Sequence, residues 1–147
     1  MKIKVFKYQD LGLDKLYEIL KLRSEVFVVE QKCAYQDLDN KDEKALHVIG
    51  EENNTIVAYS RVFRKGDFFK NSSIGRVLVK KEHRKKEYGK IIITSSIAQI
   101  KKNPKEKKIE ISAQKYLLKF YSELGFEKVG EEYLEDNIPH IKMILKI

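Results

Sequence analysis

A chain of 147 residues can bury a core without disulfide or metal staples and is expected to form a single domain over residues 1–147. With 42% hydrophobic and 35% charged residues it reads as a soluble globular protein, and no apolar run approaches the ~20 residues that a membrane-crossing helix needs. The formal charge of +8 invites a nucleic-acid partner, but only five of the 30 basic residues are arginine and the lysines are scattered over every segment. A lysine-rich bias, without a stripe of guanidinium groups able to grip phosphates, argues against nucleic acid as well as membrane.

In chain order, Ile3, Val5 and Phe6 make a first strand with no apolar signal core behind it, and Cys33 is the only cysteine. Both features fit a reducing cytoplasm. Asp10-Leu11-Gly12 punctuates that strand, and Asp14 stands as N-cap of a helix carrying Leu16, Ile19, Leu20, the stem of Arg23, Val26 and Phe27 on its apolar face. Gln31 to Lys44 is polar and acid-rich and is expected as a loop with room for a short helical turn. Ala45–Glu51 and Thr55–Phe63 read as strands around Glu52-Asn53-Asn54, where asparagine tolerates positive φ. Arg64 to Asn71 is a second loop.

The stretch from Ile74 to Ala98 then reads as strand, basic turn, helix. Ile74, Arg76 and Leu78 share one face of an extended segment and Val77 and Val79 the other, until charges take over near Lys81. Ile91, Ile92, Ile93, Ile97, Ala98 and Ile100 recur at helical spacing, so a helix begins near Tyr88 or Gly89. Between them, Arg84-Lys85-Lys86-Glu87-Tyr88-Gly89-Lys90 combines the unpaired N–H groups and positive end of a helix with cationic side chains, a combination suited to phosphate or pyrophosphate. Beyond a break at Asn103-Pro104 come a strand at Lys108–Ser112, a helix from about Gln114 to Leu124 closed by Gly125, and strands Phe126–Tyr133 and Ile138–Ile147. This order implies one mixed sheet with helices on its faces.

Arg84 to Gly89 resembles the Arg/Gln-x-x-Gly-x-Gly/Ala turn of the GNAT superfamily of acetyl-CoA-dependent N-acetyltransferases, with Glu87 in place of the first glycine. The substitution is expected to remove a residue free to take φ > 0 and to set a carboxylate beside the phosphates. Phe120-Tyr121-Ser122-Glu123-Leu124-Gly125-Phe126 resembles the family's Phe/Leu-Tyr-x-x-x-Gly-Phe. Leu22 to Gln31, Ala113-Gln114 and Tyr133-Leu134-Glu135-Asp136-Asn137-Ile138-Pro139-His140 resemble segments of the ElaA-like subfamily, with Asn137 where a glycine stands. The resemblance spans nearly the whole chain and implies an α/β (α+β) GNAT fold, a single mixed, mostly antiparallel central sheet with helices on both faces.

It also implies roles. The strand before the basic turn would splay from its neighbour, leaving amides near Val77, Leu78 and Val79 for the pantetheine arm of acetyl-CoA. Arg84, Lys85, Lys86, Tyr88, Gly89 and Lys90 would hold its pyrophosphate end, and Gln114 and Phe120 complete the cofactor set. Tyr121 matches the family's general acid, the alternative being an aromatic packed into the core; a phenol can protonate a departing thiolate. Pro139-His140-Ile141-Lys142-Met143 looks like the Pro-His-Ile-x-Met of glyphosate-type acetyltransferases, whose histidine is the base. An imidazole exchanges protons near neutral pH, so His140 is the base candidate, against a strand histidine bonded within its hairpin. Arg23 and Arg76 match two arginines that clamp an anionic acceptor there, although Gln114 stands where another would be.

Glu30 is expected near the acceptor entrance as a partner for a cationic amine, with Glu110 and Glu135 as weaker candidates. His47 reads as structural and His83 as solvent-exposed. Cys33 has no neighbour that would lower its thiol pKa, and no metal-ligand spacing is present. The expected function is direct acetyl transfer from acetyl-CoA to a primary amine of a small molecule or peptide, with a homodimer left open. The alternative is a catalytically weak GNAT-fold module that binds CoA or regulates.

Overall fold

A computed structural model describes residues 1–147. Seven strands form one sheet in the order β1-β2-β3-β4-β5-β7-β6: β1 (Lys2–Lys7), β2 (Leu46–Glu52), β3 (Thr55–Phe63), β4 (Ser72–Val79), β5 (Lys108–Gln114), β6 (Glu127–Glu135) and β7 (Ile138–Lys146). All neighbours are antiparallel except β4 and β5.

Helix α1 (Leu13–Arg23) continues as a wide π-helical segment, Ser24–Glu30. Its apolar side closes on the sheet in a cluster with Ile19, Leu22, Val26, Phe27, Ile49 and Tyr59. On the opposite face α2 (Tyr88–Lys101) and α3 (Leu118–Glu123) cover the larger core, which includes Val48, Val62, Ile92, Ile93, Ile109 and Met143. No helix is long and apolar enough to cross a membrane.

Three local expectations change. Gly12, at φ 73°, caps α1 in place of Asp14, which lies inside the first turn where a carboxylate still complements the helix dipole. Residues Ala113 and Gln114 extend β5, so the following helix starts later, after a short 3₁₀ turn at Lys115–Leu117. Glu87 takes the left-handed conformation, φ 57° and ψ 16°, at the junction before α2; the missing glycine costs steric strain of about 1 kcal/mol but does not change the path of the chain. The hairpin turns behave as the sequence implied, with Asn53, Asn54, Asp136 and Asn137 all at positive φ.

Two irregularities in β4 shape the site. Tyr59 pairs with Leu78 and Arg61 with Gly75, so two steps on β3 face three on β4. The extra residue makes a bulge, and Arg76 within it has φ 50°. On its other edge β4 pairs with β5 only through Ser72–Ile109 and Ser73–Glu110. Past Ser73 the two parallel strands diverge and leave the β4 edge without a strand partner.

Candidate active site

The divergence of β4 and β5 opens a cleft of about 970 Å³, within the range of small-molecule sites. Its lining draws on the π-helical segment, the bulged β4, the basic turn, α3 and the β6–β7 hairpin. Of the residues singled out in the sequence, Glu30, Arg76, Val77, Leu78, Val79, Arg84, Lys85, Gly89, Lys90, Gln114, Phe120, Tyr121 and His140 all line it.

At the mouth, the carbonyl of Glu87 accepts the first α2 bond, from Ile91 N–H at 3.2 Å. The amides before Ile91 have no intrahelical acceptor, and they lie between Lys85 and Lys90, as an anion site requires. Gly89 closes the turn: a Cβ there would lie 3.5 Å from the Phe120 ring. Arg84 donates Nε–H to the Val79 carbonyl at 2.9 Å and grips Glu30 with both terminal nitrogens, Nη2 to Oε2 at 2.9 Å. This hydrogen bond holds the Glu30 carboxyl below the usual range and the Arg84 guanidinium above its own.

Lys86 and Tyr88 turn away from the cleft. Tyr88 Oη donates to Glu52 at 2.7 Å and Lys86 Nζ lies 3.1 Å from the same carboxylate, at the end of the β2–β3 hairpin. His83 is half-buried beside them, its Nδ1 3.2 Å from Glu52 and its ring stacked on Tyr88, so it is not free in solvent as expected.

Midway, Tyr121 is only 6% exposed, held edge-on between Phe120 and Phe126. Its hydroxyl has no protein partner within hydrogen-bonding reach, and burial, with a smaller push from Tyr116, raises the phenol above its ordinary value. The ring is part of the core, and the residue also lines the cleft.

His140, 7% exposed, donates Nδ1–H to the Ile138 carbonyl at 2.7 Å, and its Nε2 lies 3.1 Å from Glu135 Oε2. Both partners are acceptors, which a neutral imidazole cannot satisfy at once. Glu135 therefore occupies the Nε2 side of the ring. Glu135 also accepts from Ser112 Oγ at 3.1 Å, and Ser112 bonds the Tyr133 hydroxyl, a cluster the sequence reading did not assemble because its members lie on three strands.

The arginine clamp is corrected. Arg23 is fully buried, does not line the cleft, and spends its donors on Asp37 at 2.8 Å and Asp42 at 2.6 Å. Arg76 borders the cleft but donates Nε–H to Asp37 at 2.6 Å and Nη2–H to the Asp37 carbonyl at 2.9 Å. Arg61, which the sequence did not single out, bonds Asp39 through both terminal nitrogens at 2.7 Å. Three guanidinium groups face three carboxylates, so the cluster is neutral and pins the 31–44 loop to β3 and β4 instead of presenting charge to an anion.

The remaining candidates bond within the fold, Cys33 while also lining the cleft. Glu110 pairs with Lys142 at 3.3 Å and accepts from Asn71 at 3.0 Å. His47 is buried as a neutral ring, Nε2–H donating to the Asp42 carbonyl at 2.9 Å and Nδ1 accepting from Tyr59 at 2.7 Å, and burial lowers its pKa. Cys33 Sγ–H donates to the Asp136 carbonyl at 3.4 Å, tying the loop to the β6–β7 turn. No group of three or more His, Cys, Asp and Glu side chains is placed to hold a metal.

Comparison with known proteins agrees with this architecture. Residues 5–147 match the family model for an acetyltransferase (GNAT) domain. The protein ElaA of Escherichia coli is 36% identical over 142 residues, which is 95% of this chain and 93% of that protein; its crystal structure superposes with a TM-score of 0.90 at 34% identity, covering 98% of each chain. The crystal structure of an acyl-CoA N-acyltransferase from Pseudomonas aeruginosa gives a TM-score of 0.91 at 33% identity, covering 99% of each chain.

Proposed function

This chain belongs to the GNAT acetyltransferase family, and we propose that it acts in the cytoplasm to transfer an acetyl group from acetyl-CoA to a primary amine of a small molecule or peptide, by direct attack in a ternary complex. The observation that carries the proposal is the opening between β4 and β5 with the unpartnered Tyr121 hydroxyl beside it. The similarity to a Pseudomonas acyl-CoA N-acyltransferase supports it.

When bound, acetyl-CoA supplies the acetyl group already activated as a thioester. Arg84, Lys85, Lys90 and the first amides of α2 bind its pyrophosphate end, with Gln114 and Phe120 along the arm. Successive amides of a strand alternate between its edges, and Lys80 N–H turns to β3. Along Val77, Leu78 and Val79 it is therefore Val77 and Val79 that offer N–H groups to the free β4 edge, fixed in advance as suits an oxyanion developing beside them. Tyr121 gives its proton to the leaving thiolate, and Glu30 receives the cationic amine at the mouth. His140 takes the ammonium proton once Glu135 has turned away.

Calorimetry with acetyl-CoA, followed by thiol release with a panel of primary amines, tests the reading. Binding together with release is the expected result. Binding with no release for any amine points to a CoA-binding or regulatory module, which the Glu30–Arg84 pair would then serve. Absence of binding overturns both.

A further inference from the structure

Beyond the reacting centre the cleft continues along β4 to Gly75 and Ser73, on the α1 face of the sheet. The register fixes that face. Phe63 stands opposite Ser73 and Arg61 opposite Gly75, and directly opposed residues of an antiparallel pair point to the same side. Tyr59, two residues before Arg61 on the same strand, packs in the α1 cluster, whereas Ile74 and Val62 belong to the core under α2. Ser73, Gly75, Arg61 and Phe63 therefore floor one end of the cleft, all four in its lining.

Three observations make this end a built subsite. Gly75 has no atom within 4 Å of where a Cβ would sit, and its φ is one that any residue adopts, so the missing side chain leaves open space that the backbone does not require. Half-buried aromatic rings line the same end: Phe69 meets Phe68 edge-on at 4.6 Å, and Phe68 stacks on Phe63, which is itself buried beneath it and the Arg61 guanidinium. Finally, Ser73 is 1% exposed and its Oγ has no partner, and neither has Nε of the equally buried Arg61. Buried polar atoms left without a partner are costly and rare in folded proteins. Both can donate, so an oxygen atom satisfies either.

We propose that this end of the cleft binds the body of the acceptor, and that the acceptor is an arylalkylamine with an oxygen on its ring: the ring lies over Gly75 against Phe68 and Phe69, and the ring oxygen accepts from Ser73 Oγ once that side chain has turned out of the floor in which it is buried. Two strand steps separate Gly75 from Ser73, roughly 7 Å, which is the span of one substituted ring. The neutral arginine–aspartate cluster beside it asks for no countercharge, so an uncharged body fits. This inference rests on the transferase reading of the same cleft and adds the class of acceptor.

The test compares tyramine, phenethylamine and butylamine as acceptors for the wild-type protein and for Gly75→Leu and Ser73→Ala, with calorimetry of each amine onto protein saturated with coenzyme A. The expected order of kcat/KM is tyramine, phenethylamine, butylamine. Gly75→Leu should raise the KM for tyramine at least tenfold more than that for butylamine, because the leucine occupies the ring's place. Ser73→Ala should erase a tyramine-over-phenethylamine preference of roughly five- to tenfold, the usual effect of one hydrogen bond. Coenzyme A affinity reports whether each variant is folded, and Gly75→Ala, which fills less space, replaces the leucine variant if that one does not fold. Butylamine as the best acceptor, or a Gly75 variant that affects all three amines equally, overturns the subsite. Tyramine binding that depends on Gly75 without any thiol release keeps the subsite and overturns the transferase reading.

Discussion

Glu30 and Arg84 form a two-pronged ion pair across the mouth of the cleft, one from the end of the π-helical segment and the other from the basic turn. The same guanidinium is expected to meet pyrophosphate, and the same carboxylate to meet the amine. Each partner therefore occupies the other, and on the proposed function cofactor binding would release Glu30 for the acceptor. Glu30→Gln should tighten coenzyme A binding by up to about fivefold, the ~1 kcal/mol of a partly exposed pair, while raising the amine KM. Calorimetry and initial rates read the two halves separately. Weaker coenzyme A binding in this variant would mean that Glu30 aims Arg84 and does not compete for it.

Tyr121→Phe keeps the ring that Phe120 and Phe126 grip and removes only the proton donor. Turnover should fall by roughly 10²–10⁴ with the KM for acetyl-CoA nearly unchanged. Because burial raises this phenol, it stays protonated through the pH range in which amines become reactive, so the wild-type rate should show no decline from this group up to about pH 10. A variant as fast as wild type would remove Tyr121 from the chemistry.

The Glu135 contact makes a prediction about His140. His140→Gln should lose rate most at acid pH and recover as pH rises, because an amine deprotonated in solution needs no base. Glu135→Gln, which removes the charge that engages Nε2, should keep or raise the rate at the acid end. A pH profile of both variants with one acceptor distinguishes them, and equal loss in the two would make the carboxylate part of the base.

The arginine–aspartate cluster predicts an acid sensitivity. Burial pushes the Asp39 carboxyl up, but the hydrogen bonds and charge of Arg61 more than reverse this and hold it at about 2. A folded value below the ordinary 3.8 means stability that is present above pH ~4 and lost as pH falls toward 2. Thermal midpoints should drop over that window in the wild type and more shallowly in Asp39→Asn, which starts lower. Arg23→Ala, which leaves Asp37 to Arg76 and Asp42 to Arg61 and takes one positive charge from the buried cluster, should cost about 3 kcal/mol by denaturant titration.

The order of elements along the chain, the turns and the basic junction were legible because each follows from period, turn chemistry or helix polarity written locally in the chain. The site was legible where one segment carries it, as at Arg84 to Lys90 or around Tyr121. It was not where side chains from distant segments choose one another. Arg23 reads as a helix residue until Asp37 and Asp42 fold back onto it, and Lys86 and Tyr88 read as cofactor ligands until Glu52 claims them. Glu87 shows the limit of residue preference, since helix α2 and the strand before it dictate a backbone conformation that propensity alone would disfavour. Ser73 carried no local signal: its importance lies in what does not touch it.

The seam at Ser72–Ile109 and Ser73–Glu110 divides the sheet mechanically. Four strands lie on one bank and three on the other, and below the seam helices, the 31–44 loop through Cys33 and Gln31, and whatever is threaded into the gap connect them. Such a gap behaves as a zipper left half undone, free to breathe in shear at little cost. A molecule that hydrogen-bonds to β4 while leaning on β5 would restore the missing rungs. Its arrival should slow amide exchange on both banks at once, far from any atom it touches.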